Sequence, residues 1–185
     1  MVVASPAPVH HERVRSMGVP VVDLSQKGGG RVAELMVSAC EEFGFFKVIN
    51  HGVPSEVVAR MEAAAGGFFA LPASEKQKAG PPNPLGYGSR NIGFNGDTGE
   101  VEYLLLQANP TSVLQRARAI CRRDPIEFSV VGEYVEAVRG LAGEILAMLG
   151  EGLRLPDSRA LCRVVGDRES DSLLRLNHYP PTHSN

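Results

Sequence analysis

The sequence predicts an α+β domain, on three observations. Short β-branched runs sit at residues 19–24 and 45–49, and residues 172–179 alternate apolar and polar side chains. Apolar residues recur at helical spacing over 31–43 and again beyond Pro125. Alternation marks a strand that buries one face, and helical spacing marks a helix that does the same.

Taken in order, residues 19–24 read V-P-V-V-D-L and predict a first strand, broken by Gly28, Gly29 and Gly30. A helix follows over 31–43, with Val32, Leu35, Met36, Ala39, Cys40 and Phe43 on one face. Gly44 suits the position just past its end, where left-handed backbone is needed. Residues 45–49 form a second short strand, expected to be buried from its composition. Pro54 suits the first turn of the next helix, whose apolar face is Val57, Val58, Met61, Ala65 and Phe68.

Residues 81–99 are rich in Gly, Pro and Asn and predict a long irregular stretch, within which Asn95-Gly96 reads as a tight turn. A strand is expected at 101–106. Asp124-Pro125-x-Glu127 is similar to a capping box and predicts the start of a long helix. That helix carries Val131, Tyr134, Val135, Val138, Leu141, Ala142, Ile145, Met148 and Leu149 on one face, and Pro156 is expected to end it. The closing strand is 172–179. Its apolar face and that of the long helix are expected to seek partners beyond Asn185.

Composition narrows the function classes. The 185 residues suit one domain, and 43% hydrophobic with 22% charged residues is ordinary for a soluble globular protein. A formal net charge of -2 offers no footprint for nucleic acid or an anionic membrane. No apolar run has the length of a bilayer span, and residues 1–14 lack the apolar core of a secretory signal. Cys40, Cys121 and Cys162 are odd in number and widely spaced, which fits free thiols in the cytoplasm or nucleus.

Several motifs have plain readings. The triple glycine lacks the residues of a phosphate loop and reads as a linker. His10-His11-Glu12 contains a metal-type pair in a polar tail with nothing to orient it. His51, at a strand end, reads as a structural hydrogen-bonding group.

Four blocks go further. They are V-P-V-V-D-L at 19–24, C-E-E-F-G-F-F-K-V-I-N-H-G-V at 40–53, F-F-A-L-P with Glu75-Lys76 at 68–76, and L-N-H-Y-P-P at 176–181. Together, and in this order, they resemble the plant 2-oxoglutarate- and Fe(II)-dependent oxygenases. Within that family, G-Y-G at 86–88, I-G-x-N-G-D at 92–97, V-E-Y-L-L-L at 101–106 and E-S-D-S-L-L-R-L-N-H-Y at 169–179 are similar to the gibberellin 2-oxidases of the nineteen-carbon class.

The resemblance implies a mixed α/β N-terminal region followed by the first strand or strands of a double-stranded β-helix. It divides the chain into a tail over 1–18, an N-terminal region over 19–125 with a substrate-facing loop at 81–106, a long helix and connection over 126–171, and the start of the barrel over 172–185. It implies hydroxylation of gibberellins at carbon 2 with Fe(II), 2-oxoglutarate and ascorbate, the iron being held by two histidines and a carboxylate. It assigns Asn177 and Tyr179 to 2-oxoglutarate, unless they only cap the strand. It assigns Tyr87 and Arg90 to the gibberellin, a forked guanidinium suiting the hormone's carboxylate, unless Arg90 is a surface arginine.

The chain also departs from the pattern. None of His10, His11, His51, His178 and His183 begins the H-x-D of the family, and the Arg-x-Ser that in the family grips the far carboxylate of 2-oxoglutarate is missing beyond residues 176–181. No catalytic or metal-ligating residue is therefore assigned, no bound cofactor is expected, and the chain alone is expected to be inactive. Asn91, Phe94 and Glu100 stand where the resemblance leads one to expect Arg, Pro and Trp.

Overall fold

The computed structural model describes residues 18–28, 30–81, 83–93, 99–109, 112, 115, 129–166 and 171–181. The tail up to residue 17 with its His10-His11-Glu12, the Asn95-Gly96 turn, Phe94, Cys121, the Asp124-Pro125 start and residues 182–185 lie outside them.

The first strand is β1, Val21–Asp23, which runs parallel to β2, Lys47–Ile49, in the register Val21↔Lys47, Val22↔Val48, Asp23↔Ile49. A parallel pair needs a crossover, and α1, Arg31–Phe43, supplies it. Gly44 closes α1 with φ 76° and donates its N–H to Cys40 O, as its position in the sequence suggests. At the sheet's end, Asp23 Oδ1 accepts from Ser25 N at 2.9 Å and from Asn50 Nδ2 at 2.8 Å. The Asn50 bond, then that from Ser25, holds the Asp23 carboxyl below its usual range.

The expectation of a buried second strand fails: Phe45 is 57% and Ile49 is 39% exposed. Only one face of this two-stranded sheet is covered, so Phe46 and Val48 pack inward and their alternates point outward.

Next come α2, Ser55–Phe69, and the single turn α3, Ala73–Lys76. Pro54 is the N-cap of α2 rather than its first helical residue. The buried line of α2 is Met61, Ala64, Phe68 and Phe69, so Ala64 takes the place expected of Ala65, and Phe69 is an addition.

The expected irregular stretch contains a strand. Residues Gly86–Ile92 form β3, antiparallel to β4, Gly99–Gln107. Glycine and asparagine hide this strand from propensity, and ladder pairing with β4 decides it. Gly86 itself is required: its φ is +141° and a Cβ there would lie 2.4 Å from Pro81 O and 2.5 Å from Gly80 O.

The long helix is α4, Val130–Gly152. It stops before Pro156, where Leu153 N–H bonds Leu149 O and Leu155 N–H bonds Gly150 O. Near this end it lies so close to α1 that a Cβ on Gly152 would come within 2.6 Å of Ala33 O. A further short helix, α5, Ala160–Gly166, is not foreseen by the sequence reading. The last strand, β5, Leu173–His178, pairs antiparallel with β4, giving a sheet of order β3-β4-β5.

Two cores result, and α4 serves both. Val130, Val131 and Val135 join Met61, Ala64, Phe68, Phe69, Leu104 and Leu106, with Leu174 and Leu176 of β5 packed against them. Farther along α4, Leu141, Ile145, Met148 and Leu149 pack on Val22, Leu24, Val32 and Met36. Leu174 and Leu176 of β5 and most of the apolar face of α4 thus find partners within the chain, while Val138 and Leu173 stay exposed. Among the described residues no helix is long and apolar enough to cross a membrane.

Candidate functional site

The β3-β4-β5 sheet carries different chemistry on its two faces. Directly opposed residues in antiparallel strands share a face, and alternate residues change face. The register therefore puts Tyr87, Ser89, Glu100, Glu102, Leu104, Leu106, Leu174, Leu176 and His178 on one side. It puts Gly88, Arg90, Val101, Tyr103, Leu105, Arg175 and Asn177 on the other.

The first side is the core side, and its polar end is organised by Glu102. This carboxylate is buried and accepts from Lys76 Nζ, from the Tyr87 hydroxyl, and from His178 Nδ1 at 3.0 Å. Lys76, also buried, donates to Phe69 O at 3.2 Å. The His178 ring stacks on Phe69 with centroids 5.1 Å apart, and Phe68 meets Tyr87 edge-on at 6.0 Å. Burial alone would raise the Glu102 pKa. The bonds from Lys76, Tyr87 and His178 outweigh it and hold the carboxyl at about 2. Burial, then the bond to anionic Glu102, pushes the Tyr87 phenol well above its usual range.

The second side is covered at Gly88 and Val101 and open along Leu173, Arg175, Asn177 and Arg90. Arg175 lies over the Tyr103 ring with its guanidinium carbon 4.3 Å from the centroid, and its Nε donates to Asn177 Oδ1 at 2.9 Å. Because guanidinium only donates, this bond fixes the Asn177 oxygen toward Arg175 and turns the amide NH2 outward as a donor. Tyr179, the first residue past β5, is 63% exposed. Arg90 is exposed on the second side. Such a face can hydrogen-bond an anion, and its donors fit a carboxylate.

Of the residues singled out from sequence, Asn177 and Arg90 therefore share one face, Tyr87 stands on the opposite one, and Tyr179 lies exposed just past the end of β5. Sequence reasoning missed Lys76, Glu102, Tyr103 and Arg175. A glutamate inside the apolar run V-E-Y-L-L-L is the signal that could have found the buried cluster. Iron does not fit this part of the chain: among the described residues no three His, Cys, Asp or Glu are grouped to hold a metal ion. His51 Nδ1 accepts from Val53 N at 3.2 Å, a local structural role, and His178 Nδ1 is engaged by Glu102.

Comparison with known proteins decides the family. The profile of the N-terminal domain of non-haem dioxygenases, described from morphine synthesis, matches residues 19–113. The chain belongs to this non-haem dioxygenase family. Among its curated relatives, gibberellin 2-beta-dioxygenase 2 of Oryza sativa subsp. japonica is 54% identical over 92% of this chain and 46% of that protein. The gibberellin 2-beta-dioxygenase of Phaseolus coccineus is 47% identical over 89% of this chain and 49% of its own length. The chain thus spans about half the length of the curated relatives it matches.

Solved dioxygenases give the fold. The dioxygenase for auxin oxidation 1 of Arabidopsis thaliana, in its 2-oxoglutarate complex, superposes with a TM-score of 0.71 at 24% identity, over 88% of this chain and 58% of that one. The rice dioxygenase for auxin oxidation gives a TM-score of 0.61 at 25% identity, over 86% and 51%. The α+β architecture expected from the sequence is thus that of the N-terminal part of a 2-oxoglutarate oxygenase.

Proposed function

We propose that this dioxygenase chain provides the N-terminal portion of an enzyme that hydroxylates gibberellins at carbon 2 with 2-oxoglutarate as co-substrate. The observation that carries the reading is the likeness to gibberellin 2-beta-dioxygenases at 54% identity over 92% of the chain. The open sheet face supports it with donors suited to a carboxylate. Asn177 and Tyr179 bind and orient 2-oxoglutarate there. Arg90 faces the same side and takes the gibberellin carboxylate. Tyr87, its hydroxyl held by Glu102 on the far side of the sheet, is given no contact with the gibberellin in this reading. Oxidising power comes from iron, whose ligands are not among the residues described; this chain's own part is placement and exclusion of water. Catalysis therefore needs iron ligands beyond the described residues.

A second reading, oxygenation of another substrate, is favoured by Asn91, Phe94 and Glu100. Their departures fall in and beside β3 and the start of β4.

One experiment separates the two. Residues 19–181 replace the matching segment of the rice gibberellin 2-beta-dioxygenase 2, and the hybrid is assayed with Fe(II), ascorbate, 2-oxoglutarate and gibberellins. Hydroxylation at carbon 2 is expected. A folded hybrid that consumes 2-oxoglutarate only with a different substrate rejects the gibberellin reading.

A further inference from the structure

We propose that Arg175 is the carboxylate anchor of the open sheet face, gripping its ligand through the two terminal guanidinium nitrogens while Asn177 adds a third donor. The inference rests on the reading of this face as the ligand side and adds to it a residue and a contact.

Charge is the first ground. Within the three strands, both acidic residues, Glu100 and Glu102, lie on the core side, and both arginines, Arg90 and Arg175, lie on the open side. The open side of the strands therefore presents cation and amide with no carboxylate of its own to neutralise them. An anion is the ligand such a face selects.

Order is the second ground. An exposed arginine ordinarily loses much rotamer freedom on binding. Arg175 has already lost it: the guanidinium is stacked on Tyr103 at 4.3 Å and its Nε is donated to Asn177 Oδ1 at 2.9 Å. Nε is one of five N–H donors, so the edge formed by Nη1 and Nη2 remains to meet the two oxygens of a carboxylate side by side. The same Nε bond turns the Asn177 NH2 outward beside that edge. Arg90 has neither a ring beneath it nor a partner that orients it among the described residues, so it lacks this preorganisation.

The neighbours point to a ligand that is not purely ionic. Leu105 lies directly across the ladder from Arg175, and Leu173, 56% exposed, is two residues away on the same side. A carboxylate on a carbon skeleton suits both the fork and the apolar flank. Either 2-oxoglutarate or the carboxyl of a gibberellin has this chemistry.

The test uses the whole chain, labelled with nitrogen-15, and follows the Arg175 Nε–Hε signal by NMR. Three ligands are titrated separately: 2-oxoglutarate, a gibberellin acid and the methyl ester of that acid. We expect at least one acid to shift the signal saturably. Affinity should fall about tenfold or more in Arg175→Ala, the size of a lost charged hydrogen-bond pair, and by a smaller factor in Arg175→Lys, which keeps the charge and loses the fork. The backbone amide spectrum of each variant checks its fold. Response to 2-oxoglutarate alone assigns the fork to the co-substrate; response to the gibberellin acid but not its ester assigns it to the hormone.

The proposal is overturned if no acid moves the signal, if the gibberellin acid alone moves it and its ester binds as well, or if folded Arg175→Ala binds like the parent. These outcomes are read from binding in this chain, whereas the gibberellin reading stands or falls on the hybrid's product. A hybrid active on gibberellin with an indifferent Arg175 sinks the fork alone. A fork that binds 2-oxoglutarate in a chain whose hybrid oxidises something else sinks the gibberellin reading alone.

Discussion

His178 donates from Nδ1 to Glu102 Oε2 at 3.0 Å across a directly opposed position of the β4–β5 ladder. The same carboxylate also holds Lys76 of α3 and Tyr87 of β3, so one buried anion ties three strands and a helical turn together. His178 lies between Asn177 and Tyr179 in the chain. What fixes it on the core side also fixes which side its neighbours face.

Removing one member of this cluster strands the others. Glu102→Gln leaves the buried Lys76 ammonium without its counter-charge, and loss of a buried partner costs about 3–5 kcal/mol. Replacing both, as Lys76→Met with Glu102→Leu, is expected to cost far less, because neither charge then remains buried. Chemical denaturation of the three proteins checks the order. Equal losses for the single and double variants would show that the ion pair is not the reason.

Acid should weaken the fold through the same group. Glu102 ionises in the folded chain at about 2 against an ordinary 4.5, so in the interval between, the unfolded chain binds the proton more readily. Its contribution is whole above the ordinary value and is withdrawn as pH falls toward the folded one. Melting temperature is expected to drop across that window, and the drop to be shallower in Glu102→Gln. Asp23 and Asp157 also ionise below their usual range and remain in both proteins, so the comparison isolates Glu102. Parallel curves would count against it.

Gly86→Ala should damage the sheet at its entry. The added methyl would meet the Pro81 and Gly80 carbonyl oxygens at 2.4 and 2.5 Å, and the backbone sits at φ +141°. A loss of about 2 kcal/mol or more is expected from strain and displacement together. Gly66→Ala, in α2, where an added Cβ meets nothing within 4 Å and φ is not positive, serves as the control. A pair of variants with equal melting points would refute the steric account.

Ligand roles can be separated by kinetics in the hybrid enzyme. Asn177→Ala removes a donor from the open face and is expected to raise KM for 2-oxoglutarate about tenfold, the scale of a hydrogen bond to a charged group. KM for gibberellin should change little. Tyr87→Phe keeps the ring against Phe68 and loses only the bond to Glu102, so it should lower stability before it alters either KM. A gibberellin KM raised by Tyr87→Phe in a protein of parental stability would return Tyr87 to the substrate side.

Where periodicity is uninterrupted, the sequence was legible. Helix α1 begins and ends where Val32 through Phe43 and Gly44 require, and the alternation of Leu174, Leu176 and their neighbours gives β5. Strand β3 was not legible, because Gly86, Gly88 and Asn91 carry no pattern and only its ladder with the following strand reveals it. The buried cluster was half visible. Glu102 breaks an apolar strand, but nothing in the sequence says that Lys76, from a turn 26 residues away, is its partner. The division of Tyr87 from Arg90 follows from strand parity, and parity could not be applied to residues read as irregular.

The final prediction concerns iron. An open octahedral Fe(II) site of the two-histidine, one-carboxylate kind needs three donors that converge with free lone pairs. His51 spends its Nδ1 lone pair on the Val53 N–H, and His178, its Nδ1–H given to Glu102 and its ring stacked on Phe69, keeps only Nε2 with no two further donors grouped beside it among the described residues. Glu102 is itself saturated by Lys76, Tyr87 and His178, and releasing it to a metal would leave the Lys76 ammonium buried alone. The isolated chain is expected to bind Fe(II) weakly and without fixed stoichiometry in anaerobic calorimetry, and to form no product from gibberellin. His51→Ala and His178→Ala should leave that weak binding unchanged. One equivalent bound tightly, and lost in either variant, would show that these side chains reorganise around a metal and that the donor count has been misjudged.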